Sequence, residues 1–331
     1  MDNFHTAMPQ PFLPPPVLRH PFLQTLLASS SLRKLGKNPM LGAESEMILE
    51  TENDVRLKGH FSPRFRGKGL VILLNGWLGS SDSAYVIATA RYLYRGGYSV
   101  FRLNYRDHGD SHHLNPGLFY ATRLDEVFEG VRRAAFLEKE KPVFLAGFSL
   151  GGNFALRIAS RCALDGIPNL RHIVSISPAL DPEKTTDAID RRPVIKAYFM
   201  KKWRKSLLKK QSLFPAAYDF SEILKHTSIR VVTEKLLKRY SPYKTASQYF
   251  NAYSIKPGDL LNIPVPTTLI AAEDDPIIPA SDFHRLKLNS MTNLVLHRRG
   301  GHNGFLEGFR LNTWYERNMA DLFDRITEKP L

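Results

Sequence analysis

One stretch constrains this chain more than any other: Lys141-Pro142-Val143-Phe144-Leu145-Ala146-Gly147-Phe148-Ser149-Leu150-Gly151-Gly152, followed by Asn153-Phe154-Ala155-Leu156-Arg157-Ile158. It reads as a buried strand, a tight turn and a helix. At the turn, Gly147-x-Ser149-x-Gly151 has the pattern of a nucleophile elbow, in which a serine sits on a strained corner with its hydroxyl exposed. The glycines leave room where the backbone reverses, and the serine keeps unfavourable dihedrals only if its surroundings impose them. The apolar run 143–146 suits a parallel strand covered on both faces, and the helix behind Ser149 supplies amide groups that favour developing negative charge. The plainer reading is a glycine-rich turn with an ordinary surface serine, so the rest of the chain has to decide.

From residue 69 onward strands and helices alternate, which predicts a mainly parallel sheet with helices on both faces. Strands are expected at 70–74, 98–105, 143–146, 172–176, 267–272 and 294–297, and helices at 84–94, 124–137 and 313–326. Before them, 47–51 and 55–61 read as a hairpin closed by Glu52-Asn53-Asp54, placed at the antiparallel edge of the sheet. Prolines 11, 14, 15 and 16 precede Arg19-His20-Pro21-Phe22-Leu23-Gln24-Thr25-Leu26-Leu27, predicting an extended arm and then a short helix.

Between Pro178 and Pro264 the alternation stops. This interval is rich in helix formers and basic residues, and it reads as a helical cap inserted above the strand ends. The expected organisation is an arm over 1–45, a core over 46–177 and 265–331, and the cap over 178–264. Within the cap, Ile195, Phe199, Trp203 and Leu207 recur every four residues, compatible with one slowly drifting helical face. Lys201, Lys202, Arg204, Lys205, Lys209 and Lys210 are expected on a solvated basic face, with docking on an anionic membrane as the alternative.

A serine hydroxyl is a poor nucleophile at neutral pH; it needs a histidine base, itself oriented by a carboxylate. With a nucleophile elbow, these partners follow the serine in the order acid, then histidine, on loops at strand ends. After strand 267–272 comes Glu273-Asp274-Asp275-Pro276. Asp275 is the preferred acid because it directly precedes the proline, with Asp274 competing and the loser expected to be a solvated turn acid. After strand 294–297 comes Gly300-Gly301-His302-Asn303-Gly304, a glycine-flanked histidine able to reach the serine, whereas His284 falls in a predicted helix. The loop Asn75-Gly76-Trp77-Leu78-Gly79-Ser80 follows the first central strand. The backbone N–H groups of Trp77 and Leu150 are the expected oxyanion donors.

Composition bounds the partners. The net charge of +14 is compatible with nucleic acid, an anionic membrane or acidic substrates, but no RNA-binding motif or zinc-finger spacing accompanies it, so no nucleic-acid partner is expected. The crowded Asp107, His108, Asp110, His112 and His113 invite a metal reading, yet no separate ligand set supports one, and they read equally as a polar loop. No dinucleotide fingerprint or P-loop is present. No apolar run is long enough to span a bilayer, and Met1-Asp2-Asn3-Phe4-His5 lacks the order of a secretory signal. The lone Cys162 fits a reducing compartment, so the expectation is a cytoplasmic protein.

Taken together, these residues resemble the α/β-hydrolase superfamily and, more narrowly, its YheT-like branch, the AB hydrolase 4 family. The carrying motifs are His20-Pro21-Phe22-Leu23-Gln24-Thr25, Asn75-Gly76-Trp77-Leu78-Gly79-Ser80, the elbow, Asp274-Asp275-Pro276 and Gly300-Gly301-His302-Asn303-Gly304, with Ser241-Pro242-Tyr243 and Tyr249-Phe250 in the cap. The resemblance implies an eight-stranded hydrolase sheet, a Ser149, Asp275, His302 triad acting on acyl or lipid-like esters, and no cofactor. Asn75 stands where the superfamily loop usually has histidine, and Asp107 where a glycine is usual. The sequence reading is thus a serine carboxylesterase acting on a small-molecule ester. A thioesterase, lipase or amidase on the same triad, and a non-catalytic binding protein using the basic surface, are the alternatives.

Overall fold

A computed structural model of the chain describes residues 11–51 and 54–328. The opening residues Met1 to His5 and the hairpin residues Glu52 and Asn53 lie outside that range. Eight strands form one sheet: β1 (Ser45–Glu50), β2 (Arg56–Ser62), β3 (Leu70–Leu74), β4 (Ser99–Leu103), β5 (Val143–Phe148), β6 (Leu170–Ile176), β7 (Thr267–Ala272) and β8 (Thr292–His297), in spatial order β1-β2-β4-β3-β5-β6-β7-β8. β1 and β2 pair antiparallel, and β2 joins β4 antiparallel, so the predicted hairpin forms the edge. The remaining pairings are parallel.

The two central strands explain themselves by composition. Every residue of β3 (Leu-Val-Ile-Leu-Leu) and of β5 is buried, as a parallel strand covered on both faces requires. Helices supply the cover: α1 (Pro21–Ala28), α2 (Pro39–Gly42), α3 (Ala84–Arg95), α4 (Leu124–Ala135) and α5 (Leu150–Arg161) precede β6, and α10 (Ala280–His284) and α11 (Trp314–Thr327) flank β8. Between β6 and β7 stand α6 (Pro182–Asp190), α7 (Pro193–Leu213), α8 (Ile229–Tyr240) and α9 (Ala246–Asn251), with no strand among the described residues there.

The arm is fastened rather than trailing. Arg33 donates to Glu316 at 2.6 Å, both side chains being almost fully buried. Glu316 is also the third-position member of the capping box that starts α11 at Thr313. One carboxylate therefore ties the arm to the closing helix.

The expected basic face of α7 needs one correction. Lys201 and Lys205 are exposed, but Lys210 is buried. Its Nζ donates to Asp107 at 2.7 Å and to the carbonyls of Asn115 and Gly117 at 2.6 and 3.0 Å. Lys210 stands three residues after Leu207 and seven after Trp203, so helical geometry carries it round to the inward stripe. A carboxylate and a set of carbonyls make that burial tolerable.

Candidate active site

Ser149 occupies the corner between β5 and α5 with φ 55° and ψ −113°, a strained conformation for a residue other than glycine. Its surroundings impose it. Its N–H donates to the Ile176 carbonyl at 2.9 Å, and its own carbonyl accepts from Asn153 N–H at 3.0 Å. A Cβ at Gly147 would sit 2.0 Å from the Gly151 carbonyl oxygen, and one at Gly151 would sit 2.4 Å from that of Leu74. No side chain fits at either position, so the glycine pair is a steric condition of the turn.

Two distant loops converge on this corner. His302 Nε2 lies 3.0 Å from Ser149 Oγ, and its Nδ1 lies 2.8 Å from Asp275 Oδ2. The Asp275 side chain is 1% exposed, and its other oxygen accepts the N–H groups of Ile277 and Ile278 at 2.7 and 2.9 Å. With Asp275 accepting at Nδ1, the imidazole carries its proton there and presents Nε2 to the serine. Asp274 faces elsewhere, and it is not the solvated turn acid expected of the losing candidate. It is half-buried and accepts Gly301 N–H at 2.9 Å, bracing the histidine loop. That burial raises its pKa above the usual carboxylate range.

The loop after β3 runs beside the serine: a Cβ at Gly76 would lie 3.3 Å from Ser149 Cβ. Its amides are sorted by their partners. Gly76 N–H donates to the Tyr85 hydroxyl at 3.0 Å, and Leu78 N–H donates to His108 Nε2 at 3.1 Å. Trp77 N–H and Leu150 N–H have no acceptor among the described residues. Asn75 is fully buried and donates from Nδ2 to the Gly76 carbonyl at 2.8 Å, while the Tyr105 hydroxyl donates to its backbone carbonyl. The residue that departs from the superfamily pattern thus packs within the loop's base.

His108 has a role that sequence reasoning missed. Its Nδ1–H donates to the Arg106 carbonyl at 2.9 Å, leaving Nε2 as an acceptor for Leu78 N–H. Burial pushes its pKa down to about 4, so the acceptor stays neutral at physiological pH. The crowded polar run is only partly solvated, with Asp110 and His113 exposed. Asp107, His108 and His112 are buried, and among the described residues no three metal-binding side chains converge. Asp107 has φ 57°, the left-handed backbone that makes glycine usual at this position.

Residues 69–309 match the family described as the alpha/beta hydrolase fold. The chain belongs to that family. Among curated proteins, this chain is similar to the human phospholipase ABHD3, at 24% identity over 269 residues, covering 78% of this chain and 64% of that protein. It is also similar to the putative esterase slr0264 of Synechocystis, at 24% identity over 268 residues, covering 73% of this chain and 71% of that one. The chain thus spans less than two thirds of the length of the phospholipase relative. Among solved structures, the esterase Pf2001 of Pyrococcus furiosus superposes with a TM-score of 0.57 at 17% identity, covering 88% of this chain and 96% of that one. Mouse alpha/beta hydrolase domain-containing protein 10 superposes with a TM-score of 0.55 at 15% identity, covering 85% and 99%. At such identities the likeness is one of fold.

Above the serine, the hydrolase core meets the helices between β6 and β7. Trp77 stacks on Phe199 of α7 with centroids 5.6 Å apart and meets Trp203 edge-on at 5.0 Å. A cavity of about 190 Å³ opens between them, lined by Ser149 and His302 on the core side and by Phe199, Trp203, Leu207 and Leu236 on the other. Three residues of the stripe predicted on α7, Phe199, Trp203 and Leu207, therefore line one wall, while Ile195 is not among the lining residues. The arm reaches the same space at Ser29, just past the end of α1.

Proposed function

We propose that this chain is a serine hydrolase that cleaves an acyl or lipid-like ester through an acyl-enzyme. The observation that carries the reading is the continuous chain from Ser149 Oγ through His302 to Asp275, at 3.0 and 2.8 Å. As Oγ attacks the ester carbonyl carbon, His302 Nε2 takes the serine proton. Asp275 accepts from Nδ1–H throughout and stabilises the imidazolium. The N–H groups of Trp77 and Leu150 hold the oxyanion, with the N-terminus of α5 adding its dipole. Collapse breaks the ester C–O bond, and His302 returns the proton to the departing alcohol. Water then gives a proton to His302 and attacks the acyl carbon; loss of Oγ, reprotonated by His302, frees the acid.

The apolar cavity favours an acyl chain as the group bound, and the phospholipase and putative esterase names of the relatives accord with an ester. The motifs quoted above support placing the chain in the YheT-like branch, with residues 178–264 as the cap that shapes the pocket. Labelling with a fluorophosphonate tests the chemistry: the folded wild-type protein is labelled at Ser149, and Ser149→Ala is not. An unlabelled, folded wild type would remove the proposal and leave a non-catalytic binding protein.

We also propose that exposed apolar residues of α1 and α7 meet an anionic membrane surface. No acidic residue stands between Asp2 and Glu44. Leu26 on α1 is 70% exposed and Val194 on α7 is 82% exposed, and Lys201 and Lys205 are exposed further along α7. An apolar surface with basic neighbours suits the headgroup boundary. Among the described residues no helix is long and apolar enough to cross a membrane. Co-flotation with phosphatidylserine vesicles at low salt, weakened by Leu26→Glu, is expected; failure to float would overturn this contact.

A further inference from the structure

The motif His20-Pro21-Phe22-Leu23-Gln24-Thr25 takes no part in the chemistry above, yet it lies against the histidine loop. His302 N–H donates to Thr25 Oγ1 at 2.9 Å, and that hydroxyl spends its own proton on the Pro21 carbonyl at 2.8 Å. The neighbouring Gln24 is fully buried. Its Oε1 accepts Leu306 N–H at 2.8 Å, while its Nε2 donates to the carbonyls of Leu18 and Leu306 at 2.7 and 3.3 Å. Two consecutive side chains of α1 thus grip the backbone at His302 and four residues beyond it.

The loop needs this grip. Gly300, Gly301, Asn303 and Phe305 all have positive φ, so the backbone around His302 is held in a conformation that side-chain-bearing residues rarely adopt unaided. It is also seated closely: a Cβ at Gly301 would fall 2.4 Å from the Pro21 carbonyl oxygen. On the other side, Asp274 accepts Gly301 N–H. The polarity of α1 is inverted for a surface helix, with Gln24 turned inward while Phe22 and Leu26 face outward. Its polar side chains serve the loop rather than solvent.

We infer that Thr25 and Gln24 are positioning residues that set the His302 ring against Ser149. This rests on reading His302 as the general base. In such a site, misplacement of the base by a fraction of an ångström lowers the rate without altering the pocket that binds substrate. The contacts join residues 277 and 282 positions apart in sequence, so the arm becomes an integral part of the site.

The test compares Thr25→Val, which keeps the shape and removes the acceptor, with Thr25→Ser, which restores it. Thr25→Val is expected to lower kcat on a p-nitrophenyl ester by about ten- to a hundredfold with KM held within about twofold, and to slow fluorophosphonate labelling in parallel. Thr25→Ser is expected to recover most of both. The downfield proton resonance of His302 Nδ1–H gives a readout independent of turnover: it broadens or vanishes in Thr25→Val and persists in Thr25→Ser. If the wild type proves inactive, the hydrolase reading falls while this resonance still decides the positioning claim. Retention of both resonance and rate in a folded Thr25→Val protein would overturn the inference, as would equal losses in the two variants.

Discussion

The Asp107 carboxylate lies 2.7 Å from the Lys210 ammonium, joining a buried turn after β4 to the far end of α7. Burial pushes Asp107 up and Lys210 down in pKa, while each partner's charge opposes the effect on the other. The pair is supported on both sides: Asp107 Oδ2 accepts Phe119 N–H at 2.9 Å, and Lys210 donates to several carbonyls. Removing one member strands the other in a desolvated site, so Asp107→Asn and Lys210→Met are each expected to cost about 3–5 kcal/mol. The double variant should cost clearly less than the sum. A denaturant double-mutant cycle measures this, and additive losses would show that the two groups do not depend on each other.

The two adjacent acids face different partners. Asp275 faces His302 Nδ1, whereas Asp274 holds Gly301 N–H. Asp275→Asn is expected to lower kcat on a p-nitrophenyl ester by about 10³–10⁴-fold, because the amide no longer fixes the tautomer that presents Nε2 to the serine. Asp274→Asn retains an acceptor oxygen for Gly301 and should cost about tenfold or less. Steady-state rates on the two purified variants decide it; the reverse order would assign the acid to Asp274.

These contrasts mark where sequence was informative. The elbow was legible because its signal is local: Gly147, Ser149 and Gly151 must lie within one turn. Asp275 was preferred over Asp274 on the strength of Pro276 alone, a local stiffness argument. Lys210 was misplaced because charge was read as outward-facing, although its spacing from Trp203 and Leu207 put it on the inward stripe. Thr25 and Gln24 carried no readable role, since their partners lie some 280 residues away and only the closed sheet brings them together. The link from His108 to Leu78 N–H was hidden likewise, because it depends on two strand-end loops meeting. Local backbone demands reach the sequence directly, whereas contacts made by tertiary closure leave only residue identities.

Acid should weaken this fold through its buried histidines. Burial pushes His108, His172 and His297 down to about 4 and His112 down to about 3. With folded values below the unfolded value of about 6.5, the unfolded chain binds more protons between roughly pH 6.5 and 4, so stability falls as pH drops through that window. A fall in Tm of roughly 5 °C or more from pH 7 to pH 5 is expected. His108→Gln keeps an acceptor for Leu78 N–H but cannot titrate, and it should flatten part of that slope. A slope identical to wild type would mean that His108 does not stay neutral in the folded protein.

The apolar wall predicts a graded response to acyl length. Leu236 on α8 is buried and lines the cavity shared with Ser149, and it is not one of the groups assigned to the chemistry. Leu236→Trp places bulk where a long acyl chain would run. Overfilling a packed wall costs about 1–3 kcal/mol of stability, so folding is checked first by thermal melting. Each methylene excluded from an apolar site removes about 1 kcal/mol or more of transition-state binding, so kcat/KM for a decanoyl ester is expected to fall by about tenfold or more. The acetyl ester, which carries no long chain to be obstructed, should stay within about twofold of wild type. Equal effects on the two esters would mean that the chain leaves the serine by another route, and the search for the acyl site would move to other lining residues such as Phe250 and Tyr253.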